Sequence, residues 1–392
     1  MKHFQAWLAA ILSSVLVVLS SPAGARSVTL PRPVQSGIGS AQIFEYKPAG
    51  TIPFLTTKPD FVWGARVASP DQYRTYYVAF DRDAVREHDE NWYKENRPDW
   101  LVYKCDRKNL ALSYKYSFGY YMPIDISNIA VRQYFWSTKI LPALKSGFQG
   151  IAFDNVSAVN YASRCGTYQA GSWDQQFTGA RVDKSYSSAV RDWLSWMAER
   201  IHGEGGSVAI NLFFSANDVE GYESIAAHAD IIVDEGGFSR KCHPWIVGNA
   251  WKRKIETLYK IAQKKSLVII DQTCPELVEI NQKIVNWTLA SALLVKGERT
   301  YLSITDYKTK VPGDAAPHSK DLNIGAPISE INISGGVYTR AFQNGIVLVN
   351  PTSRELEKDI GSDGFIDLFG SYQSGTIKLM PESGYILLKR NL

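Results

Sequence analysis

Gly150-Ile151-Ala152-Phe153-Asp154-Asn155-Val156 is a short apolar run that ends in a carboxylate and an amide. Parallel strands covered on both faces read as apolar runs, and barrel enzymes place their chemistry at the C-terminal ends of such strands. Asp230-Ile231-Ile232-Val233-Asp234-Glu235-Gly236-Gly237, farther along the chain, has the same form. Two strands that each deliver a carboxylate to one rim predict a general acid paired with a nucleophile or base. The competing reading of Asp154 is a cap on the helix that follows; a second run of the same kind argues against it.

Working outward, short apolar runs alternate with helix-like segments from Phe61 to about Tyr307, the pattern of an α/β fold with a parallel sheet. Eight strands are predicted: Phe61–Arg66, Thr75–Asp81, Trp100–Cys105, Gly150–Asp154, Val208–Phe213, Ile231–Glu235, Leu267–Asp271 and Tyr301–Thr305. Eight is the number of a (β/α)8 TIM barrel. The first connection is short for a full crossover, and Tyr120–Ile126 is a further strand-like piece. After Ser185, the spacing of Val190, Leu194, Met197 and Ile201 predicts a helix that ends near Gly203. Ser127 or Asn128 caps a second helix, in which Pro142 predicts a kink or break. Past about Pro312 the helical period gives way to short strands, with Asn344-Gly345 as a hairpin turn. The expected organisation is a signal peptide over 1–25, a barrel over 26–311 and a small C-terminal antiparallel β domain over 312–392.

The N-terminal segment carries Lys2 and His3, an apolar stretch from about Trp7 to Leu19, and Ala23-Gly24-Ala25. That order is a secretory signal, too short for a comfortable membrane span. A secreted or periplasmic protein is expected, with no membrane span in the mature chain, and a monomer. The formal charge of +4 comes from 43 basic and 39 acidic residues without a basic block, so nucleic acid is not an expected partner. Cys105, Cys165, Cys242 and Cys274 lack C-x-x-C spacing, which argues against zinc. In an oxidising compartment they predict disulfides; the pairing favoured is Cys105 with Cys165 and Cys242 with Cys274.

Cleavage of a glycosidic bond needs one carboxyl group to protonate the leaving oxygen and another to attack the anomeric carbon or activate water. Period-two alternation puts Gly150, Ala152 and Asp154 on one side of their strand, and small residues suit a crowded barrel interior. In the later run Glu235 continues the phase of Ile231 and Val233 and reaches farther than Asp234. The catalytic pair read from the sequence is therefore Asp154 and Glu235, with retention of configuration, and Asp234 is the alternative to Glu235. Other rim candidates for substrate binding are Trp63, Arg66, Asp81, Asp106, Asn155, Asn211, Asp271 and Asp306, each with capping or structural pairing as its alternative. For Asp125 capping is the better reading. No His pair with metal-ligand spacing, G-x-S-x-G elbow or P-loop occurs; neither a metal nor a cofactor is expected. The predicted partner is a poly- or oligosaccharide. A barrel that binds polysaccharide without cleaving it, in export or processing of a cell-surface polymer, is the alternative function.

Asn96-Arg97-Pro98-Asp99-Trp100-Leu101-Val102-Tyr103, then Pro123-Ile124-Asp125-Ile126-Ser127-Asn128, then Gly150 to Val156 follow one another in an order that resembles hypothetical glycosyl hydrolase family fifteen. More remotely, the chain is similar to the α-galactosidase clan. The resemblance covers about Phe61 to Tyr307, and the short β tail fits it. It implies a TIM barrel acting on glycosidic bonds, with Asp154 as nucleophile at the end of the fourth strand. The clan's acid/base is an Asp near the sixth strand; Asp234-Glu235 stands in that region, so Glu235 departs from the clan's pattern.

Overall fold

The computed structural model describes residues 26–44, 59–240, 243–272, 282–305 and 322–390. Eight parallel strands close into a barrel in chain order: β1 Gly39–Ile43, β2 Phe61–Trp63, β3 Tyr73–Ala79, β4 Gly150–Val156, β5 Ser207–Leu212, β6 Ile231–Asp234, β7 Ser266–Gln272 and β8 Thr300–Thr305. Following the pairing registers once around the circle offsets the chain by eight residues, the shear of a TIM barrel. Among the described residues, helices accompany the later strands. They are α2 Ile129–Phe135 with α3 Leu141–Lys145 before β4, α4 Lys184–Gly203 before β5, α5 Val219–Ala226 before β6, α6 Gly248–Ala262 before β7 and α7 Gln282–Leu294 before β8. A short helix, α1 Glu90–Asn96, belongs to the long excursion between β3 and β4.

The count of eight was right for a partly wrong reason. Trp100–Cys105 is not a barrel strand. It follows a 3-10 turn at Pro98–Trp100 and forms only isolated bridges, to Ile124, Leu110 and Gly166. The missing barrel strand is β1, whose five residues, Gly-Ser-Ala-Gln-Ile, lack the long apolar run of the others. Gly150–Val156 remains the fourth strand because one omission offset one false entry. Tyr120–Ile126 contributes Met122–Pro123, paired with Arg82–Asp83, and the isolated bridge at Ile124.

Alternation along the strands divides the core. Ala152, Ala209, Ile231, Val233, Val268, Ile270 and Tyr301 fill the barrel interior. Ile151, Phe153, Ile210 and Ile232 pack outward against helices. The helix signals also hold. Asp183 caps α4 by accepting from the backbone N–H groups of Ser185 and Tyr186, and Val190, Leu194, Met197 and Ile201 are buried along its inner face. Asn128 caps α2. Before Pro142, which has no N–H to donate, the helix passes through a π-turn at Trp136–Ile140 and resumes as α3.

The C-terminal strands are β9 Asn332–Ser334, β10 Val337–Phe342, β11 Gly345–Asn350, β12 Leu356–Asp359, β13 Phe365–Asp367, β14 Tyr372–Gln373, β15 Thr376–Leu379 and β16 Ser383–Lys389. Six of them form one antiparallel sheet in the order β9-β10-β11-β16-β13-β14, and β12 pairs with β15. Phe342 lies opposite Gly345, so the hairpin turns at Gln343-Asn344, one residue before the dipeptide expected. Gly345 serves packing instead: a Cβ there would strike the Leu387 carbonyl. This sheet explains α7, in which every residue from Trp287 to Leu294 is buried. A helix apolar all round needs cover on both sides. Gly384 of β16 lies close against Asn286 and Ala290, and Arg340 donates to the Leu294 and Lys296 carbonyls at 2.8 and 2.7 Å.

Cys105 and Cys165 form a disulfide; Cys242 and Cys274 lie outside the described residues. The bridge ties the β3–β4 excursion to the loop after β4 across 60 residues of chain. Replacing both cysteines with Ser is expected to lower stability by about 2–4 kcal/mol, read as a fall in the midpoint of thermal unfolding. No change would mean that the excursion is held by its other contacts.

Candidate active site

Asp154 and Asn155 stand where β4 departs from regular pairing. The register with β5 shifts between Phe153 and Val156, and Asn155 adopts φ 61°. Such a bulge re-aims side chains at a barrel rim. Asp154 Oδ1 accepts from the Asn155 backbone N–H at 2.9 Å and from Asn211 Nδ2 at 2.8 Å. Its Oδ2 accepts from Tyr77 Oη at 2.9 Å and Asn155 Nδ2 at 2.7 Å. Four donors therefore hold one carboxylate in a single orientation. Burial first, and the Asp154 charge second, push the Tyr77 phenol up, so the hydroxyl stays a donor.

Asn211, at the end of β5, joins the two halves of the site. Its Nδ2 also donates to Glu235 Oε2 at 2.6 Å. One NH₂ group carries two hydrogens, and here each points at a different carboxylate. Asp154 Oδ1 and Glu235 Oε2 are therefore separated by at most the sum of the two contacts, about 5.4 Å. Glu235 lines a cavity of about 300 Å³ together with Asn155, Ser157, Asn211, Tyr114, Tyr161 and Phe213. A larger cavity of about 540 Å³ lies at the opposite end of the barrel, among the segment 29–39, Tyr73, Gln149 and Tyr301. That is the N-terminal face, which in this fold serves stability.

Phase places Asp234 and Glu235 on opposite sides of the sheet. Asp234 faces the helices and is fully buried, with Lys254 Nζ of α6 at 2.5 Å from its Oδ2. The same ammonium donates to the Gly237 carbonyl at 2.5 Å. Asp234 thus anchors the turn that follows Glu235 and does not meet the cavity. Asp271 is corrected in the same way. It is fully buried and accepts from the Phe238 and Ser239 backbone N–H groups, from Ser239 Oγ at 2.6 Å and from Thr288 Oγ1 at 2.8 Å. Burial pushes its carboxyl up to about 6 against these donors. It holds the same turn from below.

Gly237 lies between the two anchors, at φ 55°, where a Cβ would come within 2.6 Å of Asp271 Cα. Gly237→Ala is expected to cost about 1–3 kcal/mol and to lower activity by displacing Glu235. Thermal unfolding and turnover measured on one preparation check this; wild-type values in both would mean that the turn tolerates the methyl.

The remaining rim candidates are placed elsewhere. Asp81 is buried in an ion cluster with Arg82, 3.0 Å away, and Arg164. Trp63 is fully buried inside the barrel. Arg66 is exposed on the connection that turns back after β2, where the Ala65 N–H bonds to Thr75. Asp106 closes an exposed turn by accepting from the backbone N–H groups of Lys108 and Asn109, which hold its carboxyl down to about 2. Asp125 does not cap α2, which Asn128 does; it closes the turn ahead of the helix by accepting from the Ser127 N–H and Oγ, and also accepts from Gln176 Nε2. Asp306 lies outside the described residues. The sequence reading missed Tyr77 and the aromatic wall of Tyr114, Tyr161 and Phe213. Tyr77 shares the inward phase of its strand, and that was the available signal: it pairs with Ala152, two residues before Asp154 faces Ala79. No cluster of three or more metal-binding side chains occurs among the described residues, and none of their helices is long and apolar enough to cross a membrane.

The family model described as hypothetical glycosyl hydrolase family 15 matches residues 68–346. No curated protein matches the chain. Among solved structures, it is similar to the type III pullulan hydrolase from Thermococcus kodakarensis, with 11% identity, TM-score 0.44 and coverage of 81% of this chain and 60% of that one. A dextranase from Flavobacterium johnsoniae gives 10% identity, TM-score 0.43 and coverage of 82% and 44%. A xylosidase from Aspergillus niger gives 10% identity, TM-score 0.45 and coverage of 90% and 60%. The chain thus spans less than two thirds of the length of each of these three proteins.

Proposed function

The chain belongs to hypothetical glycosyl hydrolase family 15, and on that premise we propose that it hydrolyses a poly- or oligosaccharide with retention of configuration. The observation that carries the reading is the Asn211 amide, which bridges Asp154 Oδ1 and Glu235 Oε2, so that the facing oxygens of the two carboxyl groups are no more than about 5.4 Å apart with no room for a water between them and the amide. Retaining pairs stand about 5–5.5 Å apart, whereas inverting pairs leave about 6.5–9.5 Å for a water. Asp154 attacks the anomeric carbon as Glu235 gives a proton to the leaving oxygen. The glycosidic C–O bond breaks and a glycosyl ester forms on Asp154. Glu235, now ionised, takes a proton from water as that water attacks the same carbon. The ester bond breaks, and both carboxyl groups return to their starting states.

The roles divide by surroundings. Asp154, with four donors, is fixed in one orientation, which suits a nucleophile. Glu235 lies on a Gly-rich turn and lines the cavity, which suits proton delivery to a leaving group. Tyr77 and Asn155 position the nucleophile, and Asn211 sets the gap. We also read the protein as exported, secreted or periplasmic after loss of residues 1–25. The small-residue segment at Ala23-Gly24-Ala25 and the Cys105–Cys165 bridge support this.

The test is release of new reducing ends from a panel of soluble polysaccharides, with NMR of the first anomer formed. Reducing ends with the starting configuration are expected. Binding without turnover across every polymer bound would sink the hydrolase reading, and first release of the opposite anomer would sink retention.

A further inference from the structure

The cavity that holds Glu235 and Asn211 measures about 300 Å³, at the small end of ligand sites. Such a space holds only one or two glycosyl units, and further units of a longer chain must lie outside it. Tyr114 lines that cavity and is 54% exposed, and Arg82 Cζ lies 4.8 Å from its ring centroid. The chain runs directly from Tyr114 into a group of rings. Tyr116 and Phe118 stack at 5.2 Å and 6°, and Tyr121 lies 4.8 and 5.0 Å from them. Phe118 is 41% and Tyr120 39% exposed. Leaving such rings in solvent contributes nothing to folding, and contiguous exposed apolar surface marks a binding site.

The segment is also tied down by local bonds, which lowers the entropy cost of binding. Tyr116 and Gly119 exchange backbone hydrogen bonds at 2.7 and 3.1 Å. Arg86 Cζ lies 4.4 Å from the Phe118 centroid, a cation over a ring face. The Cys105–Cys165 bridge fixes the base of the excursion.

We propose that residues 113–121 form a platform for glycosyl units beyond the one at the carboxylates, so that the ligand is a glycan chain of several units. The proposal rests on Asp154 and Glu235 marking the reacting bond. Continuity with the cavity that Glu235 lines selects a sugar chain over a protein partner: sugar rings offer apolar C–H faces to aromatic planes and hydroxyls to Asn155, Ser157 and Asn211.

The experiment uses the exported chain and a double variant, Phe118→Ser with Tyr120→Ser. Both substitutions lie on exposed rings, and unfolding midpoints establish that both proteins are folded. Each is run in native gels containing dextran, starch, galactomannan, xylan, polygalacturonate or alginate in turn. Release of reducing ends is assayed on the same polymers. Retardation of the wild type by at least one polymer is expected, with affinity about tenfold or more lower in the variant. Equal retardation of both proteins, or no retardation of the wild type by any polymer, would overturn the platform. Retardation that the variant loses, without reducing ends from either protein, keeps the platform and removes the hydrolase. Reducing ends from both with the same KM keeps the hydrolase and removes the platform.

Discussion

Asp154→Asn is expected to lower turnover by roughly 10⁴-fold or more while the protein stays folded. The amide is a poor nucleophile, so no glycosyl ester forms and the rest of the site has nothing to act on. Stability should fall only modestly, by about 1–2 kcal/mol. Four donors converge on the native carboxylate, and an amide keeps one accepting oxygen. The donors that meet its NH₂ can adjust: the Tyr77 hydroxyl can rotate to accept, and the Asn155 amide can flip. Turnover on a cleaved polysaccharide, beside the midpoint of thermal unfolding, measures both effects. An Asn variant with turnover within tenfold of wild type would remove Asp154 from the chemistry.

What could be read from the sequence follows from how each residue is constrained. Gly150–Val156 and Ile231–Asp234 are legible because buried parallel strands must be apolar on both faces, so the first carboxylate stands out. Phase then separates Glu235 from Asp234, because a side chain one position along points to the other side of the sheet. Strand β1 was not legible, since Gly-Ser-Ala-Gln-Ile carries little of that signal. Trp100–Cys105 misled because Leu101 and Val102 are fully buried without belonging to the barrel. Asp81, Asp106 and Asp271 were expected at the rim because each ends or follows an apolar run. What a carboxylate does there depends on partners brought from far along the chain: Arg164 for Asp81, and Phe238, Ser239 and Thr288 for Asp271. The double contact of Asn211 has the same origin. Its two acceptors lie 57 and 24 residues away, and only closure of the barrel brings them to one nitrogen.

Glu235→Gln and Asp234→Asn, neighbours in sequence, are expected to fail in opposite ways. The amide that replaces the Glu235 carboxyl keeps an oxygen for Asn211 Nδ2, so the fold and the gap should persist. It has no proton to give, and turnover should fall by about 10²–10⁴-fold. The loss should shrink for substrates whose leaving group departs without protonation, such as nitrophenyl glycosides, because the acid then has less to contribute. Asp234→Asn acts on stability. The Lys254 ammonium is almost completely buried at 2.5 Å from Asp234, and neutralising that partner leaves an uncompensated buried charge, at a cost of about 3–5 kcal/mol. Lys254 also bonds to the Gly237 carbonyl, so the loosened pair should slacken the turn that carries Glu235. Any loss of activity in Asp234→Asn should therefore accompany a lowered unfolding midpoint and be of similar size for all leaving groups. The two variants are compared by turnover on a polysaccharide and on a nitrophenyl glycoside, together with unfolding midpoints. If Glu235→Gln were near wild type, and Asp234→Asn were fully folded and inactive with a dependence on the leaving group, the acid would be Asp234 and the phase argument would be wrong.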